Sequence, residues 1–281
     1  MWIADTFNNR VRFVSEEGNI ETIAGTGDTN VGNSFGPAKN VSLASPRGLS
    51  VLGNENETST VGRLWIADSG HCRILFLNSD GNISIVAGTG VDGYSGDEGL
   101  AVNAMLSSPH GVTAFSSDNC SNNVQLFICD TVNSRVRLVN KHGIITTIAG
   151  TGGFGSLGDN GPAVNATLNL PHSVAVLPGL SDNGGSVRAW ISTFGDHRIR
   201  YINEQGIIST FAGTGARGYE GDGGLAINAH IGFPTGIAVL PVAGDGPGVR
   251  VWVSCSDLGR IFQIDEDGII STFAGTDKFG F

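Results

Sequence analysis

Charged side chains are scarce in this sequence, only 15% of 281 residues, and acidic ones dominate, so the formal net charge is −10. Runs of Lys and Arg are absent. Binding to nucleic acid or to an anionic membrane relies on such clusters to neutralise phosphates, and neither is expected as a partner. Long apolar runs are missing as well. Nothing approaches the roughly 20 residues of a membrane span, so no direct membrane insertion is expected within this segment. A secretory leader is not visible either, since Met1 runs directly into the strand-like Trp2-Ile3-Ala4-Asp5. Cysteine is rare: Cys72, Cys120, Cys129 and Cys255 are too few and too scattered for a disulfide framework or a CxxC zinc site, and they read as buried thiols. No P-loop and no Ser-His-Asp spacing stands out, and no cofactor is expected.

Glycine, by contrast, is abundant. The 43 glycines follow no collagen-like period, which leaves tight turns between many short strands as their use. Self-comparison shows why. A segment beginning with an aromatic residue recurs as WIADTFNNRV, WIADSGHCRI, FICDTVNSRV, WISTFGDHRI and WVSCSDLGRI, from Trp2, Trp65, Phe127, Trp190 and Trp252. Each copy carries an arginine (Arg10, Arg73, Arg135, Arg198, Arg260), and these are spaced 63, 62, 63 and 62 residues apart. Fourteen residues after each arginine stands Ala-Gly-Thr, from Ala24, Ala87, Ala149, Ala212 and Ala274. Twenty-one residues after the glycine of the first four triplets stands a proline: Pro46, Pro109, Pro171 and Pro234. A register kept this closely belongs to a repeated structural unit.

Each unit reads as four strands: a short, small-residue inner strand after the proline, the aromatic-led strand, an RVRFV-like strand and an outer IxTIAG-like strand. A glycine turn (Gly18, Gly81, Gly143, Gly206, Gly268) precedes the last. Strands apolar on both faces require a sheet covered on both sides, and radial stacking of such sheets is a β-propeller. The small residues two places after each aromatic (Ala4, Ala67, Cys129, Ser192, Ser254) share its face, so the aromatic row reads as packing between blades and not as a stacking platform for a ligand.

The segments IADTFNNRVR and IADSGHCRI, with the connection AGTGVDGYSGDEGLAVNAMLSSPHGV, resemble the NHL-repeat family, including its bacterial sensor-type and teneurin-like propellers. The resemblance covers essentially the whole chain and implies a propeller of NHL repeats that serves as a binding platform. The fold class expected is therefore all-β, one NHL-repeat propeller domain over 1–281, with units near 1–45, 46–108, 109–170, 171–233 and 234–281. Five blades are visible and the first lacks its inner strand. This pattern reads as a fragment of a six-bladed propeller, the alternative being an imperfect five-blade ring. Either leaves an exposed edge or face and predicts self-association.

Site residues are expected on the face that carries the regular loops. Arg10, Arg73, Arg135, Arg198 and Arg260 are rim positions whose planar guanidinium groups suit an acidic group; their recurrence in every unit also fits tying down their own loops. His110 and His172 follow the inner-strand proline, a position facing the channel mouth where some six-bladed lyases and lactonases hold a metal; Arg47 and Thr235 at the matching positions supply no ligand set. Asp97, Asp159 and Asp222 in the Gly-Asp-X-Gly connections are weak calcium candidates, one carboxylate per loop, and the commoner role is closing a turn. Asn40, Asn103, Asn165 and Asn228 read as loop scaffolding, and His71 and His197 as ordinary loop residues. Asp196 and Asp257 are substitutes for the motif aspartate (Asp5, Asp68, Asp130) that Thr193 and Cys255 replace. Sequons at Asn56 and Asn119 fall in variable loops and lean toward an extracellular or secretory location. Together these features point to a non-catalytic scaffold for a protein or small-ligand partner, a module of a larger protein and not an enzyme. The alternative is a metal-dependent lyase or lactonase of the propeller type, and RNA binding is a distant third.

Overall fold

A computed structural model describes residues 1–30, 34–52, 63–116, 124–179, 187–242 and 248–276. The expected sequons at Asn56 and Asn119, and Cys120, lie outside these residues. The protein is an all-β propeller with five blades, each an antiparallel meander. Its described helices are single turns, none long enough to cross a membrane.

Two compact units divide the chain, Met1–Thr147 and Ile148–Phe281. The first holds blade 1 (Trp2–Asp5, Arg10–Val14, Ile20–Ala24) and blade 2 (Pro46–Leu52, Arg63–Asp68, Arg73–Leu77, Asn82–Ala87). It also holds most of blade 3 (Pro109–Ser116, Val124–Asp130, Arg135–Val139, Ile144–Ala149). The second holds blade 4 (Pro171–Pro178, Val187–Thr193, Arg198–Ile202, Ile207–Ala212) and blade 5 (Pro234–Pro241, Val249–Cys255, Arg260–Ile264, Ile270–Ala274).

The four-strand reading is incomplete in one respect. In blades 2, 3 and 4 a two-residue strand from the preceding connection, Gly36–Pro37, Gly99–Leu100 or Gly161–Pro162, pairs with the outer strand as a fifth member. The same connection then makes one helical turn (Ala38–Asn40, Ala101–Asn103, Ala163–Asn165) and enters the inner strand of that same blade. Two paired residues are too few for a periodicity to register in sequence.

Apolar alternation explains the core. Between blades 1 and 2, Val11, Ile23, Leu43, Leu64, Ile66 and Leu75 interdigitate; between blades 2 and 3, Trp65, Ile74, Val112 and Ile128; between blades 4 and 5, Trp190, Ile199, Val251 and Phe262. Each large side chain so buried contributes about 1.5–3 kcal/mol relative to exposure. The aromatic row lies on second strands and meets a partner across the third strand: Trp2 with Phe13, Trp65 with Phe76, and Trp190 with Tyr201, at ring separations of 4.8, 4.9 and 4.9 Å. Glycine in Ala-Gly-Thr is required by close approach as well as by φ. A Cβ on Gly25, Gly88, Gly213 or Gly275 would strike the carbonyl oxygen of Asn9, Cys72, His197 or Gly259.

Candidate functional site

In every blade the loop between second and third strands ends in a residue forced into the left-handed region. These are Asn9, Cys72, Ser134, His197 and Gly259, at φ 52°, 48°, 51°, 54° and 56°. The arginine follows immediately, so its side chain lies over the loop. Arg10 donates to the carbonyls of Asn8 and Thr26 at 3.1 and 2.7 Å. Arg198 repeats this with Asp196 and Thr214 at 3.3 and 2.5 Å. Arg135 donates to the Asn133 carbonyl and lies 3.7 Å from the Tyr94 ring centre, while Arg260 donates to Thr272 and lies over Tyr219. Arg73 is buried and binds Asp68, Ser34 and the Ser42 carbonyl.

The motif aspartates organise these loops. Asp68 accepts the Ala44 amide (2.7 Å), His71 Nδ1 (2.9 Å) and Arg73 Nε (2.8 Å). The Asp68 hydrogen bond, opposed by burial, raises the His71 pKa above its ordinary value. Asp130 accepts the Ser107 amide (2.7 Å), Asn133 (2.9 Å) and Arg137 Nη1 (3.2 Å). Burial raises the Asp130 pKa, and those three donors pull against it. The buried Arg137 then reaches Asp97 at 2.6 Å, and Asp97 also accepts Tyr94 and Thr147. Burial alone would raise Asp97, but the hydroxyls and the guanidinium hold its carboxyl below the usual range. Blade 4 repeats the arrangement with Arg200, Asp159 and Thr210. Asp222 accepts the Thr272 amide. Arg137 and Arg200, two places beyond the regular arginines, are not singled out by the repeat pattern. The one signal for them is the RVR and RIR spelling.

Blade 4 breaks the loop pattern. Thr193 stands where the aspartate belongs, and its hydroxyl donates to the Arg198 carbonyl. The carboxylate has moved to Asp196, which is buried with no hydrogen-bond partner on either oxygen. Desolvation pushes its pKa up to about 6, against the opposing pull of Thr193, Arg198 and Arg200. Beside it, burial lowers the pKa of His197 despite the nearby Asp257 carboxylate, and its Nδ1 is buried without a partner. Adjacent groups pushed in opposite directions are a signature of functional sites.

Aromatic rings lie beside His197. Phe194 stacks on Phe233 at 4.5 Å and 22°, His197 lies 4.7 Å from Phe233, and His172 lies 5.6 Å from Phe194. Arg217 lies 5.3 Å from the Phe233 ring centre and binds Asp257 at 2.6 Å; the other Asp257 oxygen has no partner. These rings meet only here among the described loops, Phe194 from blade 4 and Phe233 from the connection into blade 5. Position 194 is Thr6 in blade 1 and Ser69 in blade 2, whose hydroxyls donate to the Pro46 and Pro109 carbonyls, and position 233 is Ser45 or Ser108. Of the site residues expected from sequence, His172 and Arg198 belong to this neighbourhood. His110 lies elsewhere, its Nε2 3.3 Å from Ser108 Oγ. Phe194, Phe233 and Arg217 give no repeat signal because each stands alone in its column, and Asp257 enters the sequence reading only as a substitute for the motif aspartate. Among the described residues no three His, Cys, Asp or Glu side chains converge. The described residues thus offer no ready ligand set for a resident metal ion.

No protein-family model matches the chain. Teneurin-m of Drosophila melanogaster is 29% identical over 67% of this chain, which spans only 7% of that protein. Among solved structures, a virginiamycin B lyase from Staphylococcus aureus superposes with a TM-score of 0.51 at 16% identity, covering 99% of this chain and 67% of the lyase. A gluconolactonase from Xanthomonas campestris gives 0.57 at 15% identity, over 98% and 71%. An auxiliary nutrient binding protein from Bacteroides ovatus gives 0.58 at 13% identity, over 94% and 58%. The likeness establishes a β-propeller of repeated blades. It also corrects the expectation that the chain is not an enzyme, which rested on the binding role implied by its repeats, because the same architecture carries a named lyase and a named lactonase.

Proposed function

We propose that this propeller acts on a small molecule by lyase- or lactonase-type chemistry, with the blade 4 loop as its working site. The observation that carries the reading is the blade-specific cluster itself: a half-buried His197, its pKa lowered, set against the Phe194–Phe233 stack with Arg217 and Asp257 alongside. A neutral imidazole accepts a proton from a carbon acid or from water attacking a lactone carbonyl, the role common to both reaction types. The aromatic faces provide an apolar bed, and the exposed Arg217 guanidinium supports charge developing on a carbonyl oxygen. No step runs through a metal.

The test is turnover of a panel of lactones and cyclic esters by the intact chain, followed by titration of released acid. His197→Asn is expected to lower the rate by roughly 100-fold or more, the usual worth of a general base. The rate should also rise with pH through a transition below the ordinary histidine value, because burial depresses His197. Panel-wide inactivity, or an undiminished rate in His197→Asn, would discard this reading.

A further inference from the structure

We propose that the blade 4 site takes a flat apolar ring bearing a carboxylate, with the carboxylate on the Nη edge of Arg217 and the ring against Phe233. The inference rests on the lactonase form of the proposed function in one respect. Hydrolysis adds water across the acyl C–O bond of a lactone, so a carboxylate and a hydroxyl stand where the ester was. A guanidinium that supports the developing oxyanion is then placed to hold the carboxylate it becomes.

The regular arginines are poor candidates for that role, because their forks are already occupied. Arg10 and Arg198 each direct both Nη groups at loop carbonyls, and Arg73 divides its own between Ser34 and Ser42. Arg217 is arranged differently. Its side chain is 61% exposed, and Asp257 accepts Nε alone, at 2.6 Å. Among the described residues neither Nη group has a hydrogen-bond partner. The guanidinium is thus held at one edge and presents the other, the edge that matches two carboxylate oxygens. Its carbon lies 5.3 Å from the Phe233 ring centre, so the apolar part of a ligand held there meets the half-buried rings of Phe233 and Phe194.

The backbone keeps Asp257 in place. A Cβ at Gly232 would strike Asp257 Oδ1 and the Leu258 side chain. The matching positions in the other connections are Ala44, Ser107 and Asn169, and the matching loop residues are Gly70, Val132 and Gly195. In blades 2 and 4 the connection supplies the side chain and a loop glycine makes room: a Cβ at Gly70 would meet Ala44, and one at Gly195 would meet Asn169. Blade 5 inverts the exchange, and the loop carboxylate enters the notch left by Gly232. The Asp257 side chain is accordingly only 10% exposed, with Oδ1 buried and without a hydrogen-bond partner, and Oδ2 is left to the arginine. Asp257 acts through Arg217, as a positioning residue.

Chemical-shift titration of the intact chain with phenylacetate, phenylacetamide and acetate separates the two contributions. Phenylacetate is expected to bind at least about tenfold more tightly than either other probe. Arg217→Gln changes an exposed side chain, so the fold survives, and acid and amide should then bind alike. Arg217→Lys keeps the charge without the fork and should recover only part of the preference. Gly232→Ala displaces Asp257 and should weaken the acid several-fold while leaving the amide unchanged. Equal affinity for acid and amide, an acid preference that persists in Arg217→Gln, or no saturable shift with phenylacetate overturns the proposal. Acid binding through Arg217 without turnover of any lactone would sink the catalytic reading and leave this one standing. Turnover without an acid preference does the reverse.

Discussion

The loops at 68–73 and 193–198 share one backbone path yet differ in where a single carboxylate sits. In blade 2 it stands at the strand end, where the entering Ala44 amide, His71 and Arg73 converge on it. In blade 4 it has moved three residues along, to Asp196, and Thr193 is left at the strand end. The first loop has its buried charge fully partnered. The second carries a buried carboxyl without a hydrogen bond and an imidazole whose pKa burial lowers, beside the stack of Phe194 on Phe233 from the connection into blade 5. Loop geometry here is set by the backbone, through the left-handed residue and the glycine behind it. Charge placement is left free to vary, and that is where one blade acquires chemistry.

The comparison breaks most visibly at Asp68. Asp68→Ala leaves Arg73 buried without its counter-ion and should cost about 3–5 kcal/mol in urea unfolding. A loss under about 1 kcal/mol would mean the network is ornamental. Asp196→Asn should act in the opposite direction. A carboxyl whose folded pKa is about 6 and whose unfolded value lies near 4 binds more protons when folded. Its ionisation therefore removes stability as pH rises from about 4 to 6, so the Asn variant gains roughly 3 kcal/mol at pH 8 and nothing below pH 4. A pH-independent difference between variant and parent would contradict that assignment. The double change Thr193→Asp with Asp196→Asn rebuilds the Asp130–Asn133 pattern in blade 4. It should exceed the single variant by about 1 kcal/mol, one charge-assisted hydrogen bond regained, while abolishing any turnover that depends on the altered loop. Thermal unfolding and the lactone assay read the two effects separately.

The propeller and its strands are legible from sequence because each repeat column carries one physical demand: an aromatic for packing, a glycine where a Cβ would collide with a carbonyl, a proline opening the inner strand. The blade 4 site is not legible by that method. Phe194, Phe233 and Arg217 depart from their columns, and a departure carries no meaning until structure shows that the departures meet. Asp196 stands out in sequence only as a substitute for the lost aspartate, and its missing partners are a property of space that spacing does not encode. His197 draws no notice there because histidine also occurs in the blade 2 loop, where His71 is bonded at both nitrogens. The two-residue strands at the blade margins are hidden for a different reason: Pro37 pairs with Asn82, far downstream of it in the chain.

One segment clasps each of blades 2, 3 and 4 at two opposite borders, and this moves the true boundary of the module. Sequence repeats counted from Pro46, Pro109 and Pro171 cut each clasp in half, separating the Gly-Pro or Gly-Leu hook from the strand it continues into. The heritable, swappable piece of this architecture begins instead just after Ala-Gly-Thr. Duplication or excision at that seam preserves intact sheets, while a cut at the proline leaves one sheet unhooked and its neighbour holding a stray end.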